Sequence, residues 1–310
     1  TISIDREQIS LTRFKIGTQH LSATLSGTLT GYRRWPPKAQ VKVVSSLIDL
    51  PALFSGPDSE IMGDIGPFNL GGITSAGPID LGNVIFLGLR LSDVRGAYRI
   101  ENNKAIIQNL TGGIDGGRFN VSLTVDLGVK GLEYFLTLDL SSAPLTTVMQ
   151  LLAPEYRNFV EGTVTGTLAL RGNGREPAYF FENLKGDGSL SFADVQIKGL
   201  SQLPRITSLA DPDRLKNIVF ETGGARLRLR SGIIEMDGSL ISPDLEITPY
   251  GEIGLDTYLD LEAPLKISPD LLTGGQNIAQ YLPRDGNWIS LPMTIQGTVQ
   301  EPEVALSEEA

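Results

Sequence analysis

The 310-residue chain contains no cysteine and a single histidine, His20. Without cysteine, disulfides, thiolate chemistry and sulfur-ligated metals are excluded. One histidine removes every mechanism that needs two, and its place beside Leu21 in a strand-like stretch gives it a surface or satisfied structural role. Aromatic residues are only 7% of the chain, against 35 Gly and 18 Pro, so many turns are expected. Helical signal is scarce: the candidates are 144–157, 203–217 and 269–281, none longer than about four turns, suited to plug or cap a sheet and too short to cover one. The longest apolar run, Val84 to Leu89, falls far short of the roughly 20 residues a membrane-spanning helix needs. Thr1-Ile2-Ser3 opens the sequence with neither Met nor a signal peptide, so the chain reads as a piece whose targeting segment lies elsewhere. The formal net charge of -10 repels phosphate backbones, and no Lys/Arg cluster with interleaved aromatics could override it, so nucleic acid is not an expected partner.

What the chain does have is strand grammar. From Asn217 to Ile267, short apolar and polar alternations are cut by Gly, Asp-Gly and Ser-Pro, the pattern of half-buried antiparallel strands. Leu227 and Leu229 alternate with Arg226, Arg228 and Arg230; Leu245 and Ile247 with Asp244 and Glu246; Leu259 and Leu261 with Asp260 and Glu262. Successive side chains point to opposite faces, so each strand has an apolar and a charged side. The cleanest strand is Arg118 to Leu127, with Phe119, Val121, Leu123 and Val125 on one face. Its expected partner is Leu132 to Leu140, carrying Tyr134, Leu136, Leu138 and Leu140, joined through a hairpin turn at Gly128–Gly131.

Residues 1–54 read as an N-terminal group of three strands around two turns. The Gly- and Pro-rich stretch 55–82 reads as a linker or flap with little regular structure. Beyond it the pattern runs twice. Gly96-Ala97 matches Gly224-Ala225, Leu127-Gly128 matches Ile253-Gly254, Ala143-Pro144-Leu145 matches Ala263-Pro264-Leu265, and Glu176-Pro177 matches Glu301-Pro302. These ordered matches give a repeat of about 125 residues, with copies at 83–177 and 178–310 that share one continuous sheet across 83–306.

No stretch reads as an active site. Gly112–Gly117 lacks the Lys-Ser/Thr of a phosphate loop and leads into a strand, so it reads as a tight turn. Asp256, Asp260 and Glu262 fall on the wet face as a solvated row, in preference to a glycosidase pair. Asp211-Pro212-Asp213 lacks the spaced oxygens of a calcium loop, and no serine sits in a nucleophile elbow. The expectation is a non-enzyme that uses no cofactor and no metal.

Taken in order, Gly82–Gly96 (GNVIFLGLRLSDVRG), the Gly-Gly-then-strand step at Gly116–Leu127, LDLSSAPLTTVMQLL, GTVTGTL at Gly162–Leu168, LKGDGSLSFADVQIKGL at Leu184–Leu200, Phe220–Asp237, and Ile295-Gln296-Gly297-Thr298 with Glu301-Pro302 resemble the C-terminal region of the AsmA-like family of bacterial envelope proteins. The resemblance covers about residues 83–306. It implies an all-β fold with a few short helices: an elongated, twisted, largely antiparallel sheet curled into an apolar groove, as in bridge-like lipid transfer proteins. It also implies the periplasm of a Gram-negative bacterium, attachment to the inner membrane through a segment absent here, and phospholipid transport to the outer membrane or support of outer-membrane assembly. The partners it implies are phospholipid acyl chains and outer-membrane or periplasmic proteins.

On this reading Phe119, Val121, Leu123, Val125, Leu136, Leu138, Leu227, Leu229, Leu245, Ile247, Leu259 and Leu261 are the candidates to line the groove. Fully burying one Leu, Ile, Val or Phe is worth about 1.5–3 kcal/mol against a net stability of about 5–15 kcal/mol. A dozen such residues must therefore be covered by chain, partner or lipid. The alternative is a structural or adhesive β-sandwich whose apolar faces pack on each other and whose loops bind a protein or glycan. Periodicity alone does not separate an open cleft from a closed core.

Overall fold

The computed structural model describes residues 1–18, 21–49, 67–86, 88–152, 154, 157–173, 183–198, 211–216, 218–272 and 283–307. Strands make up 70% of these and helices 6%, so the fold is all-β. In chain order the strands are β1 (Ile2–Ile4), β2 (Gln8–Gly17), β3 (Leu21–Thr30), β4 (Lys38–Asp49), β5 (Thr74–Phe86), β6 (Leu89–Glu101), β7 (Lys104–Ile114), β8 (Gly117–Asp126), β9 (Glu133–Pro144), β10 (Val160–Asn173) and β11 (Lys185–Ile197). They continue with β12 (Phe220–Arg230), β13 (Ile233–Ile241), β14 (Leu245–Ile247), β15 (Tyr250–Gly254), β16 (Tyr258–Glu262), β17 (Leu265–Ile267), β18 (Arg284–Asp285), β19 (Trp288–Leu291), β20 (Met293–Thr298) and β21 (Pro302–Leu306). All belong to one hydrogen-bonded mixed sheet that does not close into a barrel. The described registers are antiparallel, apart from the parallel pair β4–β5. Helix α1 (Leu145–Leu152), helix α2 (Pro212–Leu215) and a 3-10 turn at Pro269–Leu271 fall inside the three stretches expected to be helical. His20 lies outside the described residues.

Two expectations need correction. The N-terminal group has four strands where three were expected, because β2 is broken by a bulge: Leu11 pairs with Gly27, and the ladder resumes with Phe14 opposite Leu25. The two-residue alternation Ile9, Leu11 therefore resumes out of phase at Phe14, Ile16, and a period-2 reading loses it. The second correction concerns the Gly/Pro-rich stretch, where strand β5 begins at Thr74 despite Gly77-Pro78. Its parallel ladder to β4 runs from Lys38–Thr74 to Gln40–Ala76 and resumes at Val43–Ile79. The gap falls where Pro78 has no N–H to donate.

The chain divides into two compact units. Unit 1 is Thr1–Ser141 with Leu168–Lys185, and unit 2 is Ser142–Thr167 with Gly186–Ala310. Unit 2 holds the densest core. Leu245 pairs with Ile267 and Ile247 with Leu265, while Leu265 and Ile267 pair in turn with Leu291 and Ile289. Leu215, Phe220, Leu245, Leu265, Ile267, Leu271 and Ile289 are all fully buried. The core is closed over by α2 through Leu215 and by the 3-10 turn through Leu271, which is why these short helices recur after strand groups.

Positive φ recurs in both units with one chemistry. Asp93 and Asn109 in unit 1 and Asp194 in unit 2 adopt positive φ of 50°, 49° and 54°, a conformation Asp and Asn tolerate better than other side chains. The next residue is then turned back to the inner face: Val94 and Val195 are each 2% exposed, and Leu110 is half-buried.

Candidate functional site

Residues opposite each other in a ladder share a face, so the registers trace rows of side chains across unit 1. One row is unbroken over nine strands: Ile4, Ile9, Leu29, Ala39, Ser75, Ile100, Ala105, Val125 and Tyr134. A second runs Ile2, Leu11, Gly27, Val41, and then from Gly77 through Tyr98, Ile107 and Leu123 to Leu136. A third runs Phe14, Leu25, Val43, Ile79, Gly96, and then from Leu110 through Val121 to Leu138. The three rows make one apolar face, interrupted only by Ser75 and by glycines.

This face is covered to different degrees along its length. Ala23, Ser45, Leu81 and Val94, which form the next row, are all buried. The three rows beyond them are half-buried throughout, with Ile2, Ile4 and Phe14 exposed at the β1–β2 margin. The Ser45 hydroxyl in the buried row has the Ser22 and Leu47 carbonyls within reach of its one proton, at 2.7 and 2.8 Å, and accepts from the Leu47 N–H at 3.2 Å, so its polarity is satisfied.

The glycines in these rows have a steric cause. A methyl group on Gly27 would lie 2.0 Å from the Gln40 carbonyl oxygen, and one on Gly77 1.7 Å from that of Val41. Backbones there approach too closely for any side chain, as at a tight bend in a sheet. A surface depression of about 430 Å³ lies over Gly27, Val41 and Gly77, beside the ladder gap at Pro78.

The twelve expected lining residues separate by burial. In unit 1, Val121, Leu123, Val125, Leu136 and Leu138 are half-buried members of the three rows, and Phe119 is buried, paired with Leu140. In unit 2, Leu229, Leu245, Leu259 and Leu261 are buried, while Leu227 and Ile247 are half-buried. Leu259 and Leu261 pair with Gly297 and Ile295 of β20, and Leu245 sits in the closed core. The structure thus brings five of the twelve together on one half-exposed face and puts four inside unit 2. Sequence reading did not name the row-mates Ile9, Leu11, Leu25, Leu29, Val41, Val43, Ile100 and Ile107. The alternation of β3 and β4 was visible, but only their registers put them in line with β8 and β9.

The polar chemistry is modest. Asp260 and Glu262 are exposed as expected, and Gln296 donates to Asp260 at 3.1 Å. A second depression, of about 550 Å³, is lined by Asp213, Arg214, Ile218, Val219, Ser242, Pro243 and Asp244. Its charges are already matched: Lys216 pairs with Asp213 at 2.8 Å and Arg214 with Asp244 at 3.5 Å. The Ser242 hydroxyl there donates to the Leu245 carbonyl and accepts from the Leu245 N–H, both at 2.9 Å. Among the described residues no group of three or more His, Asp or Glu could hold a metal ion, and no helix is long and apolar enough to cross a membrane. Tyr134 ends the first row, and burial raises its phenol above the ordinary value.

Charge is divided unevenly. Unit 1 carries 16 Lys/Arg and 15 Asp/Glu, a net of +1, while unit 2 carries 10 and 21, a net of -11. Compared with curated proteins and with solved structures, the chain has no match. A sequence-family model described as AsmA family matches residues 79–237, just over half of the chain, from β5 to β13.

Proposed function

The chain belongs to the AsmA family, a family of the cell envelope broadly related to lipid transport, and from that premise we propose that unit 1 holds phospholipid acyl chains. They lie along the three half-buried rows, with Val121, Leu123, Val125, Leu136 and Leu138 among their contacts. The carrying observation is the single apolar face that crosses nine strands and stays half-exposed, with 6% helix among the described residues. Water on such a face is costly, and each CH2 that replaces it contributes about 0.8 kcal/mol. The protein works in the periplasm of a Gram-negative bacterium, as part of an inner-membrane-anchored chain, and moves phospholipid toward the outer membrane or supports its assembly. It does so by binding, without a catalytic step.

The test is photo-crosslinking with a phospholipid that carries a diazirine in its acyl chain. Leu123→Asp places a carboxylate at the centre of the second row and should reduce adduct formation at least tenfold. Undiminished adducts in a folded variant would remove this face from the reading. A structural or adhesive role is the reading that fits unit 2, where Leu245, Leu265, Ile267 and Ile289 are fully buried. Unit 2 is therefore assigned a supporting role, and its buried leucines are withdrawn from the proposed lining.

A further inference from the structure

At one end of unit 1 the turns between strands form a connected rim: Asp5–Glu7, Gly31–Pro37, 67–73, Asn102–Asn103 and 127–132. Hydrogen bonds stitch them together. The Tyr32 hydroxyl donates to the Asp5 carbonyl at 2.5 Å, the Trp35 indole N–H to the Gly71 carbonyl at 2.6 Å, the Leu70 N–H to the Asn103 side chain at 2.9 Å, and the Phe68 N–H to the Leu127 carbonyl at 2.7 Å. A rim held this firmly would be expected to tuck its aromatics inward, yet Trp35 is 68% exposed and Phe68 and Val129 are exposed beside it. Arg33 and Arg34 in the same turn and Lys38 at the start of β4 are exposed and form no ion pair with any carboxylate among the described residues; Arg33 lies over the Tyr32 ring, 5.7 Å from its centroid. The neighbouring acids are partly used: Glu101 pairs with Arg99 and Asp126 with Lys104, both at 3.0 Å. That sets Asp5, Glu7 and Glu133 beside Arg6, Arg33, Arg34 and Lys38. Residues 1–49 hold seven Lys/Arg and three Asp/Glu, a net of +4 in a chain of net -10.

We propose that this rim docks on the surface of an anionic phospholipid bilayer, with Trp35 and Phe68 at headgroup depth and Arg33, Arg34 and Lys38 on lipid phosphates. Exposed indole and phenyl rings beside cations that no described carboxylate neutralises match the two layers of such an interface, apolar below and anionic above. The rim adjoins the first apolar row, since Leu29, Ala39, Ile100, Val125 and Tyr134 each lie within two residues of a rim turn. Docking concerns the bilayer surface and stands whether or not acyl chains occupy the face.

The experiment is co-sedimentation of the chain with sucrose-loaded vesicles of phosphatidylcholine, alone or with about 30% phosphatidylglycerol. A basic side chain near an anionic surface is worth roughly five-fold in partitioning, so R33E/R34E should bind the anionic vesicles at least ten-fold more weakly. R226E/R230E, the same change of charge on exposed β12 positions in unit 2, should bind as wild type does. In a Trp288→Phe background, brominated lipid should quench Trp35 fluorescence, and added salt should reverse the quenching. Equal binding of wild type to both vesicle types, R33E/R34E binding undiminished, or equal weakening by the unit 2 control would each overturn the proposal.

Discussion

A methyl group at Gly77 would sit 1.7 Å from the Val41 carbonyl oxygen, with no flexible side chain to give way. Gly77→Ala should therefore cost about 1–3 kcal/mol, the range for forced overpacking, read as a lower urea midpoint. An unchanged midpoint would mean that β4 and β5 are not so close. Asp126 illustrates the other residue-level effect. The Lys104 ammonium, 3.0 Å away, and the Gly128 N–H, 2.9 Å away, hold its carboxyl below the usual range. A depressed folded value means that the contribution is complete above the ordinary carboxylate range and is lost as pH falls through the lower folded value. Asp126→Asn should accordingly flatten the acid limb of the stability profile, and an acid limb identical to wild type would contradict the assignment. Asp5, held low by the N–H groups of Glu7 and Gln8, follows the same sign.

Strands with the same alternation behave differently once they are placed in a unit. Leu261 on β16 is 7% exposed and packed within unit 2, whereas Leu123 on β8 is half-buried on the unit 1 face. Leu261→Ala should cost about 2–5 kcal/mol as a cavity in a filled core, and Leu123→Ala less than about 2 kcal/mol. Equal losses in chemical denaturation would show that the two faces are covered alike. The same pair marks how far the sequence could be read. The β8–β9 hairpin was legible because Phe119 to Val125 and Tyr134 to Leu140 alternate without interruption and meet in register. Strand β2 was missed because a bulge between Leu11 and Phe14 shifts the phase, and β5 because Gly77-Pro78 imitates a turn. Asp93-Val94 and Asp194-Val195 are a usable signal in retrospect: an Asp able to take positive φ, followed by a valine returned to the interior. Which apolar face is open was not legible, since parity assigns a side chain to a side of its strand and says nothing of what lies across from it.

For the molecule as a whole, the two units differ in charge and in packing. Unit 2 is strongly acidic and holds most of the largest fully buried side chains. Unit 1 is nearly neutral and leaves rows of Leu, Val and Ile half-buried over nine strands, the face on which the proposed function places acyl chains. The most direct measurement is to map, residue by residue, the adducts of a diazirine-bearing phospholipid on the intact chain by mass spectrometry. Adducts on Val121, Leu123, Val125, Leu136 and Leu138, with Leu245 and Leu261 unlabelled, are the predicted result; labelling confined to unit 2, or none above a lipid-free control, would contradict it.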